Sequence, residues 1–157
     1  MPSHLELANL KKYIKVEPTK LKADSKESGL AKYVAAQFPD IGWEIIKYIK
    51  EVSQMPVVAK GVGCAEDALL ALENGADGIY VSNHGARQLD TTGATIEVLS
   101  EIVQAVAHFR AKNNNRYIPV MFDGGVCRGS DCLKALAIGA DVVLVGRPIL
   151  WGLSCGG

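Results

Sequence analysis

A repeated strand–helix–strand pattern constrains the fold of this 157-residue chain more than any other feature. The apolar stretch that begins at Pro56 returns at Pro119, which is 63 residues later, and the Gly-Ala-Asp of 75–77 returns 64 residues later at 139–141. Each copy places an Ala/Leu-rich helical pattern between two apolar stretches. Short apolar runs that alternate with helical patterns are typical of βα units around a parallel sheet.

Four strands are predicted, at about 56–61, 77–82, 118–123 and 141–146, and their near-continuous apolar composition indicates that both faces are covered. Helices are predicted at 65–74, 95–112, 130–138 and 148–153, after an amphipathic stripe that starts near Trp43. We therefore expect an α/β fold of the (β/α)8 barrel type. Such a barrel needs about 250 residues. We expect 42–157 to supply four βα units, the carboxyl half of a barrel, and 1–41 to form a connecting segment with short helices.

Composition excludes several classes of partner. Lys and Arg number 17, as do Asp and Glu, so a neutral chain gives no electrostatic reason to bind nucleic acid or an anionic membrane. No apolar run approaches the ~20 residues of a membrane span. The cysteines form no Cys-x-x-Cys pair, which indicates reduced intracellular thiols and no metal site. These cysteines are Cys64, Cys127, Cys132 and Cys155.

Each predicted strand ends at a residue that can take part in chemistry. Three strands end at Lys60, Ser82 and Asp123, and the fourth ends at Gly146, which Arg147 follows. The carboxyl ends of parallel strands meet at one edge of the sheet, where barrel enzymes place their active sites. We therefore predict that these residues share one site.

The richest polar cluster follows the second predicted strand, in Ser-Asn-His-Gly-Ala-Arg-Gln at 82–88. Within it, His84 is a candidate general base, because the ordinary pKa of histidine lies near neutral pH. Arg87 is a candidate clamp for a carboxylate, since guanidinium binds carboxylates through two hydrogen bonds. The pair indicates redox or proton chemistry on a small anionic acid.

The chain resembles the FMN-dependent α-hydroxy acid oxidase and dehydrogenase family, of the glycolate oxidase type. Its 82–88 segment matches the active-site motif of that family at every position. Three further segments match as well: Val-Ala-Lys-Gly-Val at 58–62, Asp-Gly-Gly-Val at 123–126 and Gly-Arg-Pro at 146–148. The similarity corresponds to the second half of the family's barrel.

The resemblance implies a catalytic set of three residues. His84 would take a proton from the substrate, and the sequence leaves open whether that proton comes from the hydroxyl or from the α-carbon. Arg87 would bind the substrate carboxylate. Lys60 would lie near the N1/C2 carbonyl edge of the flavin, where its charge stabilises the anionic reduced form.

The resemblance also implies an FMN-binding set. Ser82 would hydrogen-bond the flavin ring or its side chain, and Asp123 would accept hydrogen bonds from the ribityl hydroxyls. Backbone amides of the glycine loop and the Gly-Arg after the fourth strand would bind the phosphate. The full predicted set is Lys60, Ser82, Asp123, Gly124, Gly125, Gly146 and Arg147. Cys127 stands where the family commonly has a phosphate-facing arginine.

These expectations define the predicted function: FMN-dependent oxidation of an (S)-2-hydroxy acid to a 2-oxo acid, with oxygen as electron acceptor and peroxide as product. We expect a peroxisomal location in a eukaryote and a cytoplasmic one otherwise. We expect a homo-oligomer or association with a half that completes the barrel. One alternative is an inactive truncated paralogue or fragment that needs such a partner. Another is an IMP dehydrogenase-like barrel, a class that lacks the 82–88 motif.

Overall fold

A computed structural model of the chain describes residues 41–89 and 91–156. The predicted connecting segment 1–41 lies outside this range, except for its last residue. In chain order the described elements are α1 (Ile45–Ser53), β1 (Val58–Val62), α2 (Ala65–Glu73), β2 (Gly78–Val81), a 3-10 turn (His84–Ala86), α3 (Thr95–Lys112), β3 (Val120–Phe122), α4 (Gly129–Ile138), β4 (Val142–Val143) and α5 (Arg147–Gly156).

The four strands form one parallel sheet in the order β1-β2-β3-β4. This is the partial barrel that the sequence predicts, since each strand is followed by a helix and neighbours its successor. Strands and helices fall where they were expected, with shorter strands and a longer α5. The strand β4 is the shortest and, within the described sheet, pairs only with β3.

One face of the sheet packs against helices α2, α3 and α4 and forms the core. The strand residues Ile79 and Val81 are fully buried, as are Leu99 and Ile102 of α3. Residues alternate between the two faces of a strand. Lys60, Tyr80 and Met121 are less buried than the core residues, and Lys60 and Met121 both pair with Tyr80 in the register of the sheet. The opposite face therefore carries the polar groups.

The sequence repeat has a structural basis at the other edge of the sheet. Asp77 accepts a hydrogen bond from the backbone N–H of Val57 at 2.9 Å, and the equivalent Asp141 accepts one from Val120 at 2.7 Å. Each carboxylate thus joins the start of one strand to the start of the next. Asp77 also pairs with Lys50 at 2.7 Å and with Arg116.

Apolar residues of α5 are exposed, since Trp151 is 63% exposed and three aliphatic neighbours are comparably open. The prediction that every strand is covered on both faces is not met for β4, where Val142 is 40% exposed. Among the described residues no strand lies beyond β4 to cover it. The described helices include none that is long and apolar enough to cross a membrane.

The ion pairs of Asp77 predict a pH-dependent contribution to stability. Burial raises the pKa of Asp77, but Lys50, the Val57 N–H and Arg116 outweigh it, so the pKa lies below its ordinary value. The contribution is therefore complete above the ordinary pKa of about 3.9 and is lost as the pH falls through the lower folded value. Asp77→Asn keeps an acceptor for Val57 and removes the charge. We expect it to lower the free energy of unfolding by about 1–2 kcal/mol at pH 7.

Urea unfolding of both proteins from pH 7 to pH 2 measures this difference, with Glu101→Gln on the exposed face of α3 as the control. The gap between wild type and Asp77→Asn should close at the acid end. A gap that stays constant with pH would contradict the assignment to the charge of Asp77.

Candidate active site

A cavity of about 630 Å³ lies at the carboxyl edge of the sheet. Eight of the nine predicted site residues line it, and they come from the ends of β1, β3 and β4 and from the loop after β2. The ninth, Ser82, is only 3% exposed and is hydrogen-bonded to Lys60 at 3.0 Å. The lining set comprises Lys60, His84, Arg87, Asp123, Gly124, Gly125, Gly146 and Arg147.

The hydroxyl of Ser82 is the hub of a polar network at the floor of the site. It donates to Asp123 Oδ1 at 2.5 Å and accepts from Lys60 Nζ at 3.0 Å and from the backbone N–H of His84 at 3.1 Å. A serine hydroxyl has one donor and two acceptor positions, so these three bonds use all of them. Ser82 thereby fixes Lys60, Asp123 and the start of the His84 loop. Its direct contact with a flavin stays a prediction.

Asp123 receives a second hydroxyl donor, which the sequence analysis missed. Tyr80 OH donates to Asp123 Oδ2 at 2.8 Å, and Lys60 Nζ lies 3.7 Å from the same oxygen. Burial, followed by the hydrogen bond and negative charge of Asp123, raises the pKa of Tyr80 to about 12. Tyr80 therefore stays protonated and acts as a donor near neutral pH. Its position two residues before Ser82, on the same face of the strand, was the available sequence signal.

The loop after β2, which carries His84 and Arg87, has an unusual backbone conformation at 84–86. His84, Gly85 and Ala86 all have positive φ, at 56°, 65° and 58°. Non-glycine residues in this region cost of order 1 kcal/mol each and persist where neighbouring contacts hold them. Two such contacts are present: Arg147 Nη2 donates to Gly85 O at 2.7 Å, and Ala86 N donates to the side chain of Asn83 at 3.2 Å. The loop is thus tied to the start of α5.

The glycine loop after β3 brings backbone close to the cavity. Gly124 has φ of 102°, and a Cβ added there would lie 2.7 Å from Thr95 Oγ1. Thr95, which is buried at the start of α3, donates to Asp123 O at 2.7 Å and so fixes the loop. Only glycine can adopt this positive φ without strain and leave the space that Thr95 occupies, so residue 124 has to be glycine. Thr95 is the second site residue that the motifs did not reveal.

The backbone N–H groups at the end of this glycine loop already have a hydrogen-bond acceptor within the protein. The backbone N–H groups of Cys127 and Arg128 donate to Asp131 Oδ2 at 3.0 and 2.9 Å, and these bonds hold the pKa of Asp131 below its ordinary value. Cys127 itself is exposed and lines the cavity. An anion in the cavity would therefore be bound by the earlier part of the loop and by Arg147, at the N-terminus of α5.

The cavity has the features that an anionic, partly aromatic cofactor requires. Lys60 supplies a cation beside the sheet, and the glycine loop with Arg147 supplies backbone and guanidinium donors. Leu144, Leu150 and Trp151 form an apolar part of the wall. FMN, which joins a planar ring to a phosphate through a polyhydroxyl chain, fits this donor set. No group of three or more His, Cys, Asp or Glu side chains suited to a metal occurs among residues 41–89 and 91–156.

Comparisons with known proteins agree with the geometry. A family model described as FMN-dependent dehydrogenase matches residues 1–157. A 2-hydroxyacid oxidase from Dictyostelium discoideum is 48% identical over 139 residues, covering 88% of this chain and 34% of its own length. A peroxisomal (S)-2-hydroxyacid oxidase from Arabidopsis thaliana is 48% identical over 134 residues, covering 85% of this chain and 35% of its own length.

Solved structures show the same relationship. A mandelate oxidase, crystallised with (S)-4-hydroxymandelic acid, superimposes with a TM-score of 0.65 at 45% identity. The match covers 74% of this chain and 31% of that protein. The chain thus spans about a third of the length of the relatives that it matches.

Proposed function

The chain belongs to the FMN-dependent dehydrogenase family, and we propose that its cavity is the FMN and substrate site of an enzyme that oxidises an (S)-2-hydroxy acid to a 2-oxo acid. The family predicted from the 82–88 motif is confirmed, and FMN is the cofactor that the family description names. The observation that carries the proposal is that a single cavity collects His84, Arg87 and Lys60 with the glycine loop. The IMP dehydrogenase-like alternative has no comparable support.

On the substrate side, Arg87 binds the carboxylate of the hydroxy acid through paired hydrogen bonds. His84 takes a proton from the substrate as the general base, which requires the neutral imidazole. Both side chains are exposed at the mouth of the cavity and belong to the same short loop. The left-handed turn at 84–86 thus sets how the base and the clamp are presented to one substrate.

On the cofactor side, Lys60 would place its ammonium near the flavin ring, and Asp123 would accept hydrogen bonds from the ribityl hydroxyls. Gly124, Gly125, Gly146 and Arg147 would hold the phosphate beside the N-terminus of α5. FMN bound there would supply the redox chemistry, with oxygen as the electron acceptor and peroxide as product. Ser82 supports this arrangement by holding Lys60 and Asp123 in place.

Replacement of the general base tests the proposed reaction. His84→Ala should lower turnover of glycolate, lactate or a longer 2-hydroxy acid by about 10²–10⁴-fold, the usual contribution of a general base. It should keep FMN, because His84 is assigned to the substrate. The control is His108→Ala, at an exposed position of α3. Turnover that survives His84→Ala would contradict the base assignment, and a wild type without turnover would favour the inactive-paralogue alternative.

The position of Cys127 tests the phosphate site. Cys127→Arg places a guanidinium at the cavity wall, and a charge-assisted hydrogen bond to phosphate should tighten FMN binding by about tenfold or more. Quenching of FMN fluorescence on titration measures the dissociation constant. Cys155→Arg, on the exposed surface of α5, adds the same charge elsewhere and should leave the constant unchanged. Equal affinities for both variants would place the phosphate away from residue 127.

We further propose that residues 42–157 act as four βα units of an FMN-dependent hydroxy acid dehydrogenase domain whose sheet is completed by another chain. The support is the exposed apolar surface beside β4 and α5, together with that of α1, where Tyr48 and Val52 are more than half exposed. Removing such apolar surface from water favours association. The occupant is a second copy of this chain or a polypeptide that supplies the other half of a barrel.

Light scattering after size-exclusion chromatography distinguishes these occupants. A particle whose mass is a multiple of the 16.8 kDa chain would indicate self-association. A 16.8 kDa particle that gains mass only with a separately expressed first half of a relative would indicate the second occupant. A stable 16.8 kDa particle that neither self-associates nor gains mass with the added first half would contradict the proposal.

For the location we propose the peroxisome in a eukaryotic cell and the cytoplasm otherwise, because the Arabidopsis relative is named as a peroxisomal enzyme. Imaging of a fluorescently tagged chain against a peroxisomal marker tests this, and a signal that stays diffuse in a eukaryotic host would contradict it.

A further inference from the structure

Tyr80 contacts both charged residues at the floor of the site, although it does not line the cavity itself. Its hydroxyl donates to Asp123 Oδ2 at 2.8 Å, and the Lys60 ammonium lies 4.9 Å from the centre of its ring. The ring face attracts the cation at this distance. A single side chain between the two charges can therefore influence where each of them points.

The distances indicate a competition for one carboxylate oxygen. The hydroxyl of Tyr80 occupies hydrogen-bonding distance of Asp123 Oδ2, whereas Lys60 Nζ lies at 3.7 Å from that oxygen and gives a hydrogen bond to Ser82. With Ser82 on Oδ1 and Tyr80 on Oδ2, each carboxylate oxygen already has a hydroxyl donor. Asp123 therefore does not require the ammonium as a direct donor. Lys60 keeps an exposed fraction of 42% and lines the cavity.

We propose that Tyr80 is a positioning residue: its hydroxyl holds Asp123 and keeps the Lys60 ammonium directed into the cavity and away from the carboxylate. Without the hydroxyl, Oδ2 loses its donor, and Lys60 is the cation close enough to replace it. The ammonium would then move from the cavity onto Asp123. The consequence for FMN rests on the function proposed above, whereas the effect on Lys60 does not depend on it.

The reactivity of Lys60 tests the proposal on the chain without added FMN. Limited acetylation with acetic anhydride, followed by mass spectrometry, reports the rate at each lysine, with the exposed Lys47 and Lys134 as internal references. In Tyr80→Phe a tighter ion pair should protect Lys60 and lower its relative rate by about fivefold. Tyr48→Phe, on the exposed side of α1, is the matched control and should leave the rate unchanged. An unchanged Lys60 rate in Tyr80→Phe would overturn the proposal.

A second background separates positioning from a general loosening of the fold. In Asp123→Asn the competing carboxylate is absent, so Lys60 should react faster than in wild type, and adding Tyr80→Phe should change its rate no further. If Tyr80→Phe protects Lys60 equally in the Asp123→Asn background, the effect does not pass through Asp123 and the proposal is wrong. Should Tyr80→Phe fail to fold, Tyr80→Leu, which also removes the hydroxyl, takes its place, and an unchanged Lys60 rate there would overturn the proposal.

Titration with FMN then separates the role of Tyr80 toward Lys60 from the proposed binding of FMN. A wild type that quenches FMN fluorescence and a Tyr80→Phe protein that binds about fivefold more weakly support both. A wild type that ignores FMN contradicts the proposed function, while the acetylation rates still decide the role of Tyr80. Wild type and Tyr80→Phe that bind FMN equally would overturn the part of the proposal that connects Lys60 to the cofactor.

Discussion

The carboxylate of Asp123 is the group on which the arrangement of the site depends. It directly follows β3 and contacts residues from the two preceding strands: Tyr80 lies in β2, Ser82 directly follows β2, and Lys60 lies in β1. A partly buried charge is costly unless it is hydrogen-bonded. The hydroxyl donors and the nearby ammonium meet that requirement and, in doing so, fix the side chains of three strands at one edge. The proposed cofactor side of the cavity is therefore set by the sheet.

The proposed substrate side is built differently, from a loop held in a strained conformation. His84 and Ala86 adopt positive φ, and the bonds from Arg147 and to Asn83 keep them there. The proposed cofactor-binding side chains lie in β-strands or directly follow them. The proposed base, His84, and the proposed carboxylate ligand, Arg87, lie in a short turn. The contact between Arg147 and Gly85 connects the proposed phosphate site with the catalytic loop. We therefore expect a substitution of Arg147 to alter the conformation of the 84–86 turn as well as the proposed phosphate site.

The sequence predicted the four strands, their order and a site at their carboxyl ends, because apolar periodicity and the polar residue after each strand are local signals. It did not predict which polar groups satisfy one another. The hydroxyl of Ser82 bonds to Lys60, Asp123 and His84, a network that the motifs do not reveal, and its contact with the cofactor stays a prediction. Tyr80 and Thr95 were not predicted, because their roles follow from distances between strands. The exposure of β4 was not predicted either, because it depends on which element packs beside that strand.

Visible absorption of the purified chain, before and after addition of FMN and then of an (S)-2-hydroxy acid without oxygen, decides whether this cavity holds a working flavin. We expect a bound-flavin spectrum that the hydroxy acid bleaches and that oxygen restores. A protein that is colourless after incubation with excess FMN and removal of the unbound flavin would contradict the claim that this cavity holds the cofactor.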